Sequence, residues 1–300
     1  MYVATLRHKL ANNLFVITAE TNPPRGPDPS RVLSRIAEIS SVVDAVNIAD
    51  SPMAKMRMSP VALAHIVQEE LGVETIVHFT CRDRNSIALQ SDLLGAAALG
   101  IRNFLAITGD RPAQSGNHPD NPCPRAVFDV DAAGLVRLAE TLNNGYDASG
   151  NKLSGVPDFF VGVVANPSAQ DLDREVERLE HKVRSGAKFV QTQPVYDLRT
   201  LQRFREKTAY LEVPVLYGIL PLKSYEIAVY LHEKVPGVVI PDTVRERVRL
   251  GGRRAGVELA RELFAEIRDQ VAGVHIFPMG DTDIVLEVTN GLEVRQALAT

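Results

Sequence analysis

The stretch VHFTCRDRNSIALQSDLLGAAALGIRNFLAITGD, residues 77–110, contains two apolar runs separated by a helical pattern. We predict the runs as strands over 75–81 and 103–108. The helical segment between them ends at Gly100, a residue type that often terminates helices. Such a strand–helix–strand unit is typical of an α/β protein.

The same alternation extends along the whole chain of 300 residues. Asp28 before Pro29 and Ser59 before Pro60 are typical helix starts. The predicted strands cover 14–20, 43–49, 75–81, 103–108, 158–165, 187–192, 214–219 and 273–277. Eight strands each followed by a helix predict an α/β fold, a single (β/α)₈ TIM barrel over residues 1–300. The alternative is an open doubly wound sheet, whose dinucleotide-binding version lacks its GxGxxG motif here.

Composition restricts the classes of function. The chain is 45% hydrophobic and 23% charged with a net charge of −4, so it lacks the basic surface that nucleic acid requires. No run reaches the roughly 18 apolar residues of a membrane helix. Cys81 and Cys123 form no CxxC motif, which argues against a disulfide scaffold or a zinc site. We therefore expect a cytoplasmic protein without a metal.

Two predicted connections are longer than usual. Residues 109–128 follow the fourth strand, so in a barrel they lie on the catalytic face and form a candidate lid. Residues 143–155 follow the fourth helix, and we expect them to form a structural hairpin on the opposite face.

Polar residues recur where the predicted strands end, which is where barrel enzymes place their active sites. The stretch FVITAETNPPRG, residues 15–26, puts Glu20 between a buried strand and a rigid turn. Taken singly, such an acid is more often a solvated loop residue, and a strand histidine is more often part of a core. The polar strand-end residues are Glu20, Asn47, Asp50, His78, Thr80, Arg82, Thr108, Asp110, Asn166, Gln191, Gln193 and His275. Together they predict acid–base chemistry on a small molecule, with a cofactor supplying the difficult step.

Several motifs resemble those of the 5,10-methylenetetrahydrofolate reductases over residues 10–280. They include FVITAETNPPRG, VNIADSPMAKMRMSP, GAKFVQTQPVYD and YGILPLKSY, beside the long stretch 77–110 quoted above. The chain is most similar to the short form of acetogens and to the reductase half of fusions with homocysteine methyltransferase. The family fold is a (β/α)₈ barrel, in agreement with the strand count.

The resemblance implies reduction of 5,10-methylenetetrahydrofolate to 5-methyltetrahydrofolate in one-carbon metabolism. NAD(P)H reduces a bound flavin, FAD or alternatively FMN, and the flavin passes hydride to the folate. Glu20 matches the family's general acid, which protonates folate N10 as the ring opens. Asp110 matches a catalytic aspartate, Gln193 a pterin-binding glutamine and Tyr225 an aromatic residue that packs on the folate. The resemblance also implies a homo-oligomer.

The cofactor residues carry over with departures. His78 matches a flavin-contacting histidine, Gly109 the turn beneath the cofactor, Lys182 a phosphate-binding lysine and Glu175 an acid near the ribityl chain. Thr108 stands where many members have arginine, Ala49 where many have threonine, and Asn166 begins a shortened loop that lacks a Tyr-His pair. Arg57 or Arg82 could supply a substitute charge. Two alternatives stay open: direct hydride transfer without flavin, and a folate-binding subunit that needs a partner electron donor.

Overall fold

The computed structural model describes residues 5–112, 124–235 and 237–290. Eight parallel strands form a closed barrel in sequence order, and β8 pairs with β1. The strands are β1 (Val16–Thr21), β2 (Ala45–Ile48), β3 (Glu74–Thr80), β4 (Asn103–Ile107), β5 (Phe160–Ala165), β6 (Phe189–Pro194), β7 (Val215–Ile219) and β8 (Gly273–Ile276). The predicted (β/α)₈ barrel is confirmed, and the predicted strand bounds agree to within two residues.

Helices surround the barrel, with one or two helices in each segment between strands. They are α1 (Thr5–Ala11), α2 (Ser30–Ile39), α3 (Pro60–Leu71), α4 (Ser86–Ala98), α5 (Ala132–Asn143), α6 (Leu172–Arg184), α7 (Leu198–Thr208), α8 (Tyr225–Lys234), α9 (Asp242–Ile267) and α10 (Asp283–Thr289). Ser59 caps α3 through the Ala62 N–H, and Gly72 ends that helix in the left-handed conformation. No helix in the described ranges combines the length and apolar character that a bilayer crossing needs.

The strands are buried on both faces, so most of them are continuous apolar runs. Val46, Val77 and Val163 belong to the large core between the strands and the surrounding helices. Alternate residues such as Val16, Ile76 and Phe189 fill the interior of the barrel. This two-residue alternation fixes which side chains can reach the barrel mouth.

Helix α1 closes the amino-terminal end of the barrel, which the sequence analysis did not predict. Leu6 and Leu10 pack against the interior residues. Lys9 Nζ lies 2.6 Å from Asp44 Oδ1, and both side chains are buried. The Leu6 N–H donates to Glu74 Oε2 over 2.9 Å. The closed end therefore holds buried carboxylates that have partners.

The connection from β7 to β8 contains two helices instead of the single predicted one. Helix α8 packs with the start of α9 around a separate apolar cluster that includes Leu220, Leu231 and Val244. A Cβ at Gly256 of α9 would lie 1.8 Å from the Leu222 carbonyl oxygen, so glycine permits this close packing.

The predictions for the two long connections have different outcomes. Residues 143–155 contain an antiparallel bridge between Tyr146 and Lys152, and Asp147 accepts hydrogen bonds from the Ser149 and Asn151 N–H groups. The expected hairpin is therefore confirmed. Of the candidate lid, 113–123 lie outside the described residues. Its described end pairs with the chain after β3, where the Val127 N–H donates to the Arg82 carbonyl over 2.7 Å.

Candidate active site

Glu20 lies at the carboxyl end of β1, on the inward-facing side of the strand. It has no hydrogen bond or ion pair with any described residue, and burial raises its pKa from 4.5 to about 7. Partial exposure leaves the side chain open to the mouth. After Glu20, the Pro24 carbonyl accepts from the Met58 N–H over 2.9 Å, which ties the β1 turn to the β2 loop. Glu20 is thus a positioned acid that can hold a proton near neutral pH.

Asp50 joins the ends of β2 and β3. Its Oδ2 accepts from the Thr80 N–H over 3.1 Å, from Thr80 Oγ1 over 2.8 Å and from Arg84 over 2.7 Å. Arg84 also bonds Asp92. Asp50 Oδ2 therefore ties the ends of β2 and β3 together, whereas Glu20 has no such contact with a described residue.

Gly109 and Asp110 follow β4 at the same end of the barrel. Gly109 has φ +92°, and a Cβ there would lie 3.0 Å from Thr80 Cβ and 3.1 Å from Arg82 Cβ. The turn thus requires glycine both for its conformation and for space. Asp110 is exposed, and its Oδ2 accepts from the Met53 N–H of the β2 loop over 3.0 Å. Both residues lie where the sequence analysis expected them.

A β-bulge places Gln193 at the end of β6. The pairing with β7 shifts between Gln191 and Pro194. Thr192 Oγ1 fills the irregularity by accepting from the Gly218 N–H over 2.9 Å. Bulges are common at barrel rims, where they re-aim side chains. The sequence analysis predicted the residue but missed the bulge, whose only local signal is Gly218.

A layer of polar side chains faces the barrel interior just below the residues at the mouth. Its members are Thr18, Asn47, His78, Gln191 and His275, all buried, and we call them the polar layer. Asn47 Nδ2 donates to Gln191 Oε1 over 2.6 Å and lies 3.0 Å from His78 Nε2. Gln191 Nε2 donates to Thr18 Oγ1 over 3.2 Å, and Thr18 Oγ1 lies 2.9 Å from His275 Nδ1. The layer thus connects five strands.

Burial keeps both histidines of the polar layer neutral. It lowers the pKa of His78 to about 4, against a smaller opposing effect of Asp50. It lowers the pKa of His275 to about 3, with a further contribution from His78. Thr18 was not singled out in the sequence, although it lies two residues before Glu20 and so shares its face of β1.

Three predicted cofactor residues lie together beside β5. The Asn166 N–H donates to Glu175 Oε1 over 3.0 Å, and Lys182 Nζ donates to the Val164 carbonyl over 2.7 Å. Burial lowers the pKa of Lys182, against an opposing effect of Glu175. Lys182 therefore places a partly desolvated cation where β4 and β5 stop pairing, since their last paired residues are Ala106 and Val163.

The remaining predicted residues are on the carboxyl-terminal side of the barrel. Ala49 is buried directly after β2, Thr108 is exposed directly after β4, and Tyr225 begins α8 with about a third of its surface exposed. The two candidate arginines differ. Arg82 is held by Asp83 through two nitrogens, whereas Arg57 Nε is buried and has no hydrogen-bond partner among the described residues.

Within 5–112, 124–235 and 237–290, no three His, Cys, Asp or Glu residues are grouped closely enough to hold a metal ion. The fold and the site instead define a parallel (β/α)₈ barrel with an acid at its mouth that titrates near neutrality. The particular family follows from comparison with known proteins. The family model described as methylenetetrahydrofolate reductase matches residues 5–293, and the chain belongs to this family.

Named relatives span much of the chain. A 5,10-methylenetetrahydrofolate reductase of Pectobacterium carotovorum subsp. carotovorum is 25% identical over 300 aligned residues, covering 94% of this chain and 92% of the relative. The 5,10-methylenetetrahydrofolate reductase of Salmonella typhimurium is also 25% identical, and the alignment covers 77% of this chain and 74% of that relative. Methylenetetrahydrofolate reductase 1 of Schizosaccharomyces pombe is 27% identical over 72% of this chain, which spans 35% of that longer protein.

Solved structures share the fold. A protein from Clostridium thermocellum that binds two copies of 5-methyl-5,6,7,8-tetrahydrofolic acid superimposes with a TM-score of 0.60 at 16% identity, covering 95% of this chain and 98% of that chain. A 2,3-dimethylmalate lyase superimposes with a TM-score of 0.53 at 12% identity, covering 97% and 84%. At these identities the likeness establishes the barrel alone.

Proposed function

We propose that the chain reduces 5,10-methylenetetrahydrofolate to 5-methyltetrahydrofolate, with NAD(P)H as the hydride source and a bound flavin as the relay. Family membership supports the reaction. The observation that carries the mechanism is the Glu20 carboxyl, which no described residue pairs with and whose pKa of about 7 suits proton transfer at neutral pH.

Glu20 acts as the general acid. The five-membered ring of the substrate must open to an iminium before it can accept hydride, and opening requires a proton on N10. An ordinary glutamate with a pKa near 4.3 would seldom be protonated at pH 7. Because burial raises the Glu20 pKa to about 7, about half of the molecules carry the proton at that pH.

Asp110, Gln193 and Tyr225 position the substrate in this proposal. Gln193 can donate and accept at once, as the edge of a pterin demands. Tyr225 begins α8 and exposes enough of its ring to pack on an aromatic group. Asp110 takes the second catalytic position, and its bond from the Met53 N–H fixes its carboxylate.

Several features fit an anionic, ring-bearing cofactor such as FAD. Gly109 forms a turn in which a Cβ would collide with Thr80 and Arg82. The buried Arg57 Nε has no partner in the described ranges, and Lys182 supplies a partly desolvated cation beside Glu175. These residues, together with His78, Thr108, Asn166 and Ala49, would hold the flavin. When bound, the flavin supplies the hydride relay between nicotinamide and folate.

Two alternatives arise from particular residues. Ala49 and Thr108 replace a hydroxyl and a guanidinium that anchor the cofactor in many relatives, which favours direct hydride transfer without flavin. The second alternative is a reductase subunit that takes electrons from a partner protein. The intact Glu20, Asp110 and Gln193 are compatible with both.

An anaerobic absorbance spectrum distinguishes these possibilities. We expect the purified chain to be yellow, to bleach with NADH or NADPH and to recolour with methylenetetrahydrofolate. A yellow protein that ignores both nucleotides but is reduced by viologen dye would favour the partner donor. A colourless, active protein would establish direct transfer, and a chain inactive with every donor would contradict the proposal.

The Glu20→Gln variant tests the acid. We expect flavin binding and reduction by nicotinamide to persist while folate reduction falls by about 10²–10⁴-fold, the usual range for losing a general acid. Glu69→Gln, on the exposed face of α3, is the matched control and should keep the parental rate. Folate turnover at the parental rate in Glu20→Gln would rule out the assignment.

A further inference from the structure

The polar layer has a definite direction of hydrogen bonding. Asn47 Nδ2 can only donate, so the His78 Nε2 that it contacts at 3.0 Å must accept. A neutral histidine carries one proton, and that of His78 must therefore be on Nδ1. Asn47 thus selects the His78 tautomer.

The same reasoning reaches His275 through two further side chains. Gln191 Nε2 donates to Thr18 Oγ1, so the Thr18 hydroxyl has its own proton to give elsewhere. Its nearer acceptor is His275 Nδ1 at 2.9 Å, whereas the Val274 carbonyl lies at 3.4 Å. His275 Nδ1 then accepts, and the His275 proton is on Nε2.

The remaining nitrogen of each ring makes no hydrogen bond within the part of the chain that the structure describes. Among the described residues, His78 Nδ1 and His275 Nε2 have no hydrogen-bond partner, and neither is among the fully buried polar atoms that lack one. His78 lies two residues before Thr80, and His275 lies two residues before Phe277, so each histidine faces the barrel interior just below a residue at the mouth. The rings of His275 and Phe277 pack edge to face with their centroids 4.5 Å apart. Both N–H groups are thus available at the floor of the mouth.

We propose that Asn47 and Gln191 lock His78 as the Nδ1–H tautomer and His275 as the Nε2–H tautomer, so that the floor presents two neutral N–H donors to a bound ligand. The matching ligand is a planar heteroaromatic ring whose carbonyl oxygen or ring nitrogen acceptors face the floor. This ligand class rests on the proposed function, whereas the tautomers follow from the protein alone.

The two locks are coupled because Asn47 and Gln191 form a reciprocal pair. Gln191 Nε2 donates back to Asn47 Oδ1 over 3.2 Å, so turning either amide favours turning the other. Reversal of both would make His78 Nε2 a donor and would force the Thr18 hydroxyl to donate to Gln191. His275 would then carry its proton on Nδ1. Asn47 and Gln191 are therefore positioning residues, and they act through the histidines.

Nitrogen-15 NMR of the full chain labelled at histidine reads the tautomers directly, with His78 and His275 assigned by single His→Gln variants. We expect protonated Nδ1 in His78 and protonated Nε2 in His275 at pH 7. Protonated Nε2 in His78, protonated Nδ1 in His275 or a mixture in either ring would overturn the proposal. The variants serve only for assignment, and the tautomers are read in the unmodified chain.

Two leucine variants test the coupling. Gln191→Leu should convert His275 to a mixture of tautomers, because it removes the bond to Thr18, although Gln191 itself does not bond His275. It should also give a tautomer mixture in His78, because the Asn47 amide becomes free to turn. Asn47→Leu should loosen both rings as well. Thr75→Val, which removes a buried hydroxyl of β3 bonded to Gln68, should change neither ring. Unchanged tautomers in a folded leucine variant would reject the coupling.

Addition of FAD to the flavin-depleted labelled chain, followed by 5-methyltetrahydrofolate, tests the ligand contact, because the proposed function places His78 against the flavin. We expect the His78 Nδ1–H or the His275 Nε2–H resonance to shift. The same sample is assayed for folate reduction, which separates the two proposals. An active sample without a shift would reject the floor donors, whereas an inactive sample with the expected tautomers would reject the proposed function and retain the lock.

Discussion

The two ends of the barrel bury the same chemical group and treat it in opposite ways. At the end closed by α1, Asp44 pairs with Lys9, and Glu74 accepts from the Leu6 N–H and from Asn103. At the mouth, Glu20 has no such partner among the described residues, and its pKa rises to about 7. Partners surround the buried carboxyls at the closed end, whereas Glu20 lacks such a partner among the described residues and can carry a proton near neutral pH.

The difference separates stability from chemistry. A buried carboxylate without a partner costs free energy, and the protein reduces that cost by protonating it. At the closed end the ion pair of Lys9 with Asp44 and the bond from the Leu6 N–H to Glu74 hold α1 against the barrel. At the mouth the proton is what the proposed reaction consumes. Changes at the two ends should therefore affect different measurements.

The largest expected effect on stability comes from removing the buried cation. Lys9→Met leaves Asp44 its bond from the Ile17 N–H but removes the buried cation that lies 2.6 Å from its Oδ1. We expect the free energy of unfolding to fall by about 3–5 kcal/mol, as for other broken buried ion pairs, measured by denaturant titration. Turnover per folded molecule should stay at the parental value, because α1 lies at the end opposite the mouth.

Removing the partner charge as well gives the control. Lys9→Met combined with Asp44→Asn should recover part of the lost stability, because no uncompensated charge then stays buried. If the single variant lost turnover per folded molecule while keeping its stability, the division of roles between the two ends would be wrong.

At the mouth, removing the Glu20 carboxyl is expected to change the free energy of unfolding by a smaller amount and in the opposite direction. The Glu20 pKa is higher in the folded chain than its ordinary value of 4.5, so the associated stability is complete below pH 4.5 and is lost as pH rises through about 7. The interval corresponds to about 3 kcal/mol at most, less where solvent reaches the carboxylate. Glutamine does not ionise and escapes this loss.

Glu20→Gln should therefore become more stable than the parent as pH rises from 5 to 8.5, in parallel denaturant titrations. The two buried histidines lose stability in the other direction, as pH falls from about 6.5 towards their pKa values of about 4 and 3. Both proteins contain them, so their contribution cancels in the difference. A stability difference that is constant with pH would show that Glu20 titrates like an exposed acid.

The sequence predicts the strands and the mouth residues well because both depend on local patterns. Eight apolar runs and their helix caps define the barrel, and Glu20 lies where such a run meets a double proline. The family motifs indicate which of the polar residues at the mouth are candidates for the site. Whether each predicted residue binds cofactor or substrate stays a prediction.

Features that depend on distant contacts could not be predicted. The seven residues of α1 are too few to show a helical period, and its buried Lys9 finds Asp44 only in the folded chain. The bulge at Thr192 follows from close packing against Gly218. The polar layer joins five strands, and Asn47 and Gln191 are 144 residues apart in the sequence. The sequence analysis named all members of the layer except Thr18 as polar strand-end residues, but the contacts between them arise only when the strands close into a barrel.

The smallest expected effect compares a glycine at each face. Gly109 at the mouth and Gly150 in the opposite hairpin have φ of +92° and +84°, but a Cβ at Gly150 would meet nothing within 4 Å. Gly150→Ala should cost only the left-handed backbone, about 1 kcal/mol, whereas Gly109→Ala adds the collision with Thr80 and Arg82 and should cost about 2–3 kcal/mol. Denaturant titration of the two variants measures the difference. Equal losses of stability would mean that Thr80 and Arg82 move aside for the added methyl group. Close packing would then not be a reason for glycine in the turn next to Asp110.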